Sequence, residues 1–450
     1  MNWLPSMCHT VALSLFAAAV LVASGASAQL ATPEVQFLRL DELERMALEN
    51  NPTVGQAAAA VRAAEGRRVQ AGLYPNPTVG YQGEEFALRP GLFWQRSEHF
   101  LFAQQTFVTA GKLGLSRDIV SQEKAQVELA SAGQKLRLMN AVRGLYYEAL
   151  GAARLVEVRR DLARVAREAV DVSGQLFNVG QADRPDVLEA EAEAERTELE
   201  LVNAESNQQR VWRQLAAVVG NPNVPLSPLA GDLEAEVPVI DEQQLLAGLL
   251  RDSPDVKIAQ AGVERAKAAL RRARAERIPN IIVRGGFGYS TEPVERDARA
   301  AGPEARIEIG IPLPIFNRNQ GNIAAAEADL DRAEREVKRL DLDLRARAST
   351  VLSGYQSAVN AVERYQRRVL PRAQEAYTLY LNRFRQMTAA YPQVLIAQRT
   401  LGQARAAYVD ALVNAWQNTV LIRGFLLTGG LDAAGLTPPG PTPPATAPNE

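Results

Sequence analysis

The sequence predicts a mainly α-helical chain whose duplicated long coiled-coil hairpins carry four short strands, too few to close a barrel alone. Three observations predict it: an internal repeat, heptad seams in the long segments, and alternating apolar segments between them. The repeat shows where "LFNVGQADRPDVLEAE" (Leu176 to Glu191) returns as "YLNRFRQMTAAYPQVLIAQ" (Tyr380 to Gln398). Phe177 falls on Phe384, Pro185 on Pro392, and Val187 and Leu188 on Val394 and Leu395. Such self-similarity marks a chain built from repeated structural units.

In chain order, residues 1–28 read as a signal peptide. An apolar stretch from Val11 to Ala23 is followed by Ala26-Ser27-Ala28, a small-x-small site ahead of Gln29. Cys8, the sole cysteine, would leave with it, so neither a disulfide nor a thiolate metal ligand is expected in the mature chain. No other segment has the eighteen or so uninterrupted apolar residues of a membrane helix. With 50 basic and 52 acidic residues, net charge −2, there is no excess positive charge to hold a phosphate backbone, so nucleic acid is not expected as a partner.

The first repeat is placed at 29–219 and the second at 241–428. The copies open on "LDELERMALENNPTV" (Leu40 to Val54) and "IDEQQLLAGLLRDSPDV" (Ile240 to Val256), and each opening helical run ends in a Pro-Asn pair, Pro75-Asn76 and Pro279-Asn280. Between the copies, residues 220–240 are rich in Pro and Gly and read as a linker. From 429 to 450 the Pro-rich tail cannot build a core.

Four strands follow from alternation. They are expected at Pro77 to Phe86, His99 to Val108, Asn280 to Ser290 and Glu304 to Pro314; the alternation is poor in the second. The face of Val79, Tyr81, Val283, Phe287, Ile307, Ile309 and Ile311 suits lipid, and each segment approaches the nine to eleven residues of a tilted membrane strand. Open edges are forbidden in lipid, so several chains must each lend four strands; three would give twelve. Ala87 to Glu98 and Thr291 to Glu304 are expected as surface loops.

The long helices carry heptad seams. Leu138, Val142, Leu145, Ala149, Ala152 and Val156 lead into Val158, Leu162, Val165, Ala169, Val172, Leu176 and Val179. Copy two repeats the rhythm from Ile323, with a stutter between Leu344 and Ala348. No proline lies between Pro90 and Pro185, whereas Pro371 should kink the long helix of copy two. Turns near Gly180 and Thr388 are then the tips of antiparallel hairpins, with Gly180 as the helix-terminating residue.

Catalytic and metal chemistry finds no support. Outside the signal the single histidine is His99, no Cys or His pair has ligand spacing, and no nucleophile, base and orienter set is visible. No cofactor is expected. "EAEAEAE" (Glu189 to Glu195) reads as a solvated helix surface rather than a metal site, because alternate glutamates point to opposite faces.

With its duplicated layout, "FNVGQADRPDVLEA", "VTAGKLGLSR" (Val108 to Arg117) and "PLPIFNRNQGNIAAAEADL" (Pro312 to Leu330), the chain resembles the TolC family of outer-membrane efflux proteins over nearly all of the mature sequence. The last two motifs look most like its CzcC-like heavy-metal branch. The resemblance implies a homotrimer whose helices form a periplasmic α-barrel and whose strands complete a 12-stranded transmembrane β-barrel in the outer membrane. It implies a periplasmic adaptor (membrane fusion protein) and an inner-membrane RND-type pump as partners, and passive export of heavy-metal cations or of small organics. A periplasmic coiled-coil scaffold or adaptor without a channel is the alternative from another class. Adaptor-docking tips map to Asn178, Val179, Gly180 and Gln181 and to Gln386, Met387 and Thr388. Where family members narrow the periplasmic mouth with acidic residues after the second tip, this chain offers Arg383, Arg385, Tyr391 and Arg399 as gate candidates, with Asp183 and Asp186 after the first tip as the nearest carboxylates.

Overall fold

The computed structural model describes residues 37–85, 97–294, 299–386 and 391–432, with side chains undescribed at 292–294, 299–301 and Tyr391. The signal, most of the expected loop Ala87 to Glu98, Met387 and Thr388, and the tail from 433 lie outside these residues. The order helix, helix, strand, strand, long helix, tip, helix occurs twice. Copy one holds α1 (Leu40–Asn50), α2 (Pro52–Ala71), β1 (Thr78–Glu84), β2 (Glu98–Phe107), α3 (Lys112–Asn178) and α4 (Arg184–Val219). Copy two holds α5 (Glu242–Asp252), α6 (Pro254–Ala275), β3 (Ile281–Val294), β4 (Arg299–Gly310), α7 (Gln320–Arg364), α8 (Leu370–Arg385) and α9 (Tyr391–Arg423).

The short helices start where the sequence supplies caps. The Asn51 side chain accepts from Thr53 N at 2.9 Å and donates to Val218 O at 2.7 Å, so one buried residue starts α2, with Pro52 at its first position, and ties it to the end of α4. Asp241 likewise accepts from Gln243 N and Gln244 N at the head of α5. Helix α3, 67 residues and about 100 Å at 1.5 Å per residue, is the longest element and packs on α4, α6, α2 and α9 in turn. Its upstream seam is the best-packed part: Leu138, Val142, Ala149, Ala152 and Val156 are buried, with Leu43 from α1 and Trp212 and Leu215 from α4 closing over it. Nearer the tip the seam opens, and Val172 is 41% exposed in the single chain.

Pro371 interrupts copy two by a defined device. A proline has no N–H to donate to the carbonyl four residues back, and a π turn at Tyr365–Val369 absorbs the break before α8. Helix α8 has no buried residue, and α7 has only Ile323 buried before Leu344.

The segment read as a linker is strapped down. Its proline-rich backbone cannot pair regularly, so aromatic donors satisfy its carbonyls: Trp212 Nε1 to Val224 O at 3.0 Å, Tyr146 OH to Ala230 O at 2.6 Å, Trp416 Nε1 to Leu233 O at 3.0 Å and Tyr355 OH to Pro238 O at 2.5 Å. Beyond α9, Asn140 donates to Gly424 O and Leu427 O, and Gln134 to Gly430 O and Asp432 O, holding the chain against α3 past the expected tail boundary.

The four strands form one antiparallel sheet in the order β1-β2-β3-β4. Three strand boundaries in the second pair differ from expectation. β3 runs to Val294 and β4 begins at Arg299, so most of the expected loop Thr291 to Glu304 is a long hairpin. β4 ends at Gly310 because Pro312 and Pro314 cannot donate to a ladder, which leaves Ile311 one residue below the strand. At that lower end the repeated Pro-Asn pair has a structural use. Asn280 Oδ1 accepts from Thr109 N at 3.3 Å and from Lys112 Nζ at 2.8 Å, while Thr109 Oγ1 donates to Pro279 O at 2.6 Å. Lys112 is only 2% exposed there, a buried ammonium held by Asn280 and by Glu276 at 3.6 Å.

Candidate functional site

The sheet has two unlike faces. Register places Tyr81 opposite Leu101, Leu101 opposite Phe287, and Phe287 opposite Ala305; one step lower, Val79, Ala103, Gly285 and Ile307 line up. On this face Val79, Tyr81, Leu101, Phe287, Ile307 and Ile309 are all exposed, Ile307 at 81%. An apolar face of this extent, bare in the single chain, marks a surface that meets something other than water. Val283 sits on the same face opposite Gln105 and Ile309 and is half-buried. Leu101 was not singled out in sequence, because β2 carries phenylalanines on its other face too and its alternation was hidden.

Those phenylalanines organise the second face. A Cβ at Gly80 would lie 2.6 Å from the Phe102 ring, and one at Gly288 would lie 2.5 Å from Phe100, so the rings lie across the glycines of neighbouring strands. Arg284 stacks over Phe102 at 3.8 Å and Arg306 over Phe100 at 4.0 Å. Arg284 donates to Gln82, and Arg306 pairs with Glu98 and reaches Glu84 at 3.5 Å and Glu304 at 3.7 Å. One face is thus apolar and bare, the other charged and cross-linked from strand to strand by its two arginines. His99 has its Nδ1 2.5 Å from the Tyr81 hydroxyl and its Nε2 2.9 Å from Ser97 Oγ, so both ring nitrogens are engaged, and the histidine is structural. Among the described residues no group of three His, Cys, Asp or Glu is placed to hold a metal ion, and no helix is long and apolar enough to cross a membrane.

The first tip closes α3 with a Schellman motif. Gln181 N donates to Leu176 O at 2.8 Å and Gly180 N to Phe177 O at 3.0 Å, with Gly180 at φ +73°. Asn178, Val179, Gly180 and Gln181 are exposed together, Val179 at 68%. Asp183 N donates to the Asp186 side chain at 3.3 Å, so Asp186 serves the start of α4. At the second tip Gln386 is exposed and its N–H returns to Asn382 O at 3.0 Å, while Met387 and Thr388 are not described. The equivalence of Phe177 and Phe384 does not extend to environment. Phe384 packs on Ala190 and Leu395 with Ala169 and Val170, whereas Phe177 is 42% exposed.

The gate candidates separate. Arg383 and Arg385 are exposed, and Tyr391 opens α9. Arg399 is committed to a buried partner: its Nε and Nη2 donate to Glu193 Oε2 at 2.9 and 2.6 Å, and Arg196 holds the same carboxylate at 3.0 and 2.5 Å. Glu193 is 2% exposed, which corrects the reading of Glu189 to Glu195 as wholly solvated. Its neighbours 189, 191 and 195 do face solvent; α9 covers only the one residue. Burial alone would raise the Glu193 pKa, but hydrogen bonds and charge from Arg196 and Arg399 outweigh it and hold the carboxyl below its ordinary value. The partner residue lies some 200 positions away, and no local pattern announces it.

Residues 43–221 and 245–424 match the family described as outer membrane efflux protein. The cobalt-zinc-cadmium resistance protein CzcC of Cupriavidus metallidurans is 27% identical over 390 residues, covering 86% of this chain and 89% of that one. Among solved structures, the outer-membrane channel OprN superposes with a TM-score of 0.73 at 20% identity, over 87% of this chain and 91% of that one. CusC, whose structures describe transmembrane channel formation, gives 0.71 at 19% identity over 87% and 92%.

Proposed function

The chain belongs to the outer membrane efflux protein family, and from that premise we propose that three copies assemble into a passive conduit that exports metal cations through the outer membrane. Its place is the outer membrane, with the helices extending into the periplasm. The carrying observation is the two-faced sheet. Its apolar face is bare, and its edge strands β1 and β4 have no outer neighbours among the described strands. Unpaired edges are not tolerated in hydrocarbon, so β4 of one copy pairs with β1 of the next until the ring closes. The charged face with Arg284, Arg306, Glu84 and Glu98 then lines the bore, and no energy source is needed in this chain.

Metal cargo is supported by likeness to CzcC over most of both chains. A pump in the inner membrane and a periplasmic adaptor supply the drive, the adaptor gripping the tips at Val179, Gly180 and Gln386. Purified protein in a planar bilayer is expected to give discrete conductance steps and a mass of three chains in detergent; a monomeric, silent product overturns the conduit. Deletion of the gene in its own host is expected to sensitise cells to cobalt, zinc or cadmium. Sensitivity to organic compounds alone would overturn the metal assignment and leave the channel.

A further inference from the structure

We infer that the periplasmic rim of the barrel in copy two is a docking collar for the anionic headgroups of phospholipid in the leaflet facing the periplasm. This rests on the conduit reading, since it requires the sheet to lie in the membrane. The apolar strand face between Tyr289 and Ile281 spans about 26 Å along the strand and about 20 Å along the membrane normal at a tilt of about 40°, against an apolar band of about 25 Å. Residues just beneath that face therefore sit at the lipid boundary. There the chain is conspicuously bare: Ile278 is 52% exposed, Leu313 73%, Ile315 61% and Phe316 90%. Prolines 312 and 314 keep this stretch out of the ladder, and α7 begins only at Gln320.

Two arginines flank the apolar cluster. Arg277 and Arg318 are exposed, and neither side chain has a hydrogen-bond or ion-pair partner among the described residues, unlike Arg272 and Arg274, which pair with Glu276 and Glu327. No acidic residue occurs in 277–281 or 311–319. The two segments are held together rather than merely near in sequence terms. Asn319 Nδ2 donates to Ala273 O at 2.8 Å, and Ile282 pairs with Gly310 in the sheet. The Asn280 junction with Thr109 and Lys112 fixes the turn that carries Arg277 and Ile278. Exposed apolar groups continuous with the lipid-facing strands, bordered by unpaired guanidinium groups, suit acyl chains beside phosphate. Copy one has Leu73 and Tyr74 exposed at the corresponding place but no basic residue in 72–78, so the collar belongs to one repeat.

The test uses the full-length protein, delipidated in detergent and offered equal phosphatidylglycerol and phosphatidylcholine, with retained lipid read by native mass spectrometry. Wild type is expected to favour phosphatidylglycerol by about fivefold per arginine, the ratio equivalent to about 1 kcal/mol for a basic side chain at an anionic surface. Arg277→Gln/Arg318→Gln is expected to lose most of that preference while keeping its oligomeric mass. An equal ratio in wild type, or an unchanged one in the double variant, overturns the collar, as does displacement of the lipid by inorganic phosphate at millimolar concentration. Replacing Phe316 by a photoreactive benzoylphenylalanine in cells should yield lipid adducts; cross-links to a second copy of the chain or to another protein would assign the surface to that partner instead. Conductance is recorded on the same preparations. Normal steps without lipid preference overturn the collar alone, whereas absent steps overturn the conduit and the collar together.

Discussion

Glu193 gives the sharpest test of how the hairpins are held near their tips. Its carboxylate accepts from Arg196 on its own helix and from Arg399 on α9, and it is 2% exposed while the two arginine side chains are 42% and 39% exposed. Glu193→Gln keeps the shape and removes the charge. Hydrogen bonds to charged groups contribute about 1.5–3 kcal/mol each, and the half-solvated arginines bring the combined loss to about 2 kcal/mol. Local opening at the packed α4 and α9 segments should then be about 30-fold more frequent, which hydrogen exchange with mass spectrometry reads on peptides covering 187–200 and 394–405. Arg399→Gln should loosen the same peptides about fivefold, with clear non-additivity in the double variant. The pH dependence has a fixed sign. A carboxyl held below its ordinary value of about 4.3 stabilises above that value and loses its contribution as pH falls through the folded-state value. Protection corrected for intrinsic exchange should thus be flat from about pH 5 to 8 and converge on that of the variant in stronger acid. Protection unchanged by Glu193→Gln at neutral pH, or fully additive variants, would refute the tie.

Ile307→Arg places a charge in the apolar face and is expected to cost about 2–4 kcal/mol near the membrane midplane, seen as loss of the assembled form from outer-membrane fractions, whereas Glu308→Arg on the opposite face should assemble and alter ion selectivity. Gly286→Ala would set a Cβ 2.5 Å from Leu101 O and is expected to destabilise the sheet by about 1–3 kcal/mol in thermal melts, while Gly285→Ala, with nothing within 4 Å, is tolerated. At the first tip, Gly180→Ala meets no atom but must adopt φ +73°, a local strain of about 1–2 kcal/mol that should fray the end of α3 in hydrogen exchange. Val179→Asp is expected to leave melting and assembly unchanged and to abolish metal resistance in cells; full resistance would count against docking there.

Periodicity by itself determined much of this protein. The heptad seam of α3, the break at Pro371, the glycine-terminated first tip, and the twofold order of elements are local or repetitive properties, and local sterics and hydrogen bonding enforce them wherever the chain sits. The apolar face of β1, β3 and β4 was legible for the same reason. Tertiary structure decided what depends on a neighbour distant in sequence. β2 could be oriented only once pairing put Leu101 beside Tyr81 and Phe287 and laid Phe100 and Phe102 across Gly288 and Gly80. A proline-rich linker became a fixed strap because aromatic donors from α3, α4, α7 and α9 reach its carbonyls. One glutamate in a run of four was taken from water because α9 brought Arg399 onto it, and the two equivalent phenylalanines differ because Phe384 packs on Ala190 and Leu395 while Phe177 stays exposed. Chain-local geometry repeats when the sequence repeats; burial and charge pairing depend on which surfaces the fold presses together, and the two copies press against different ones.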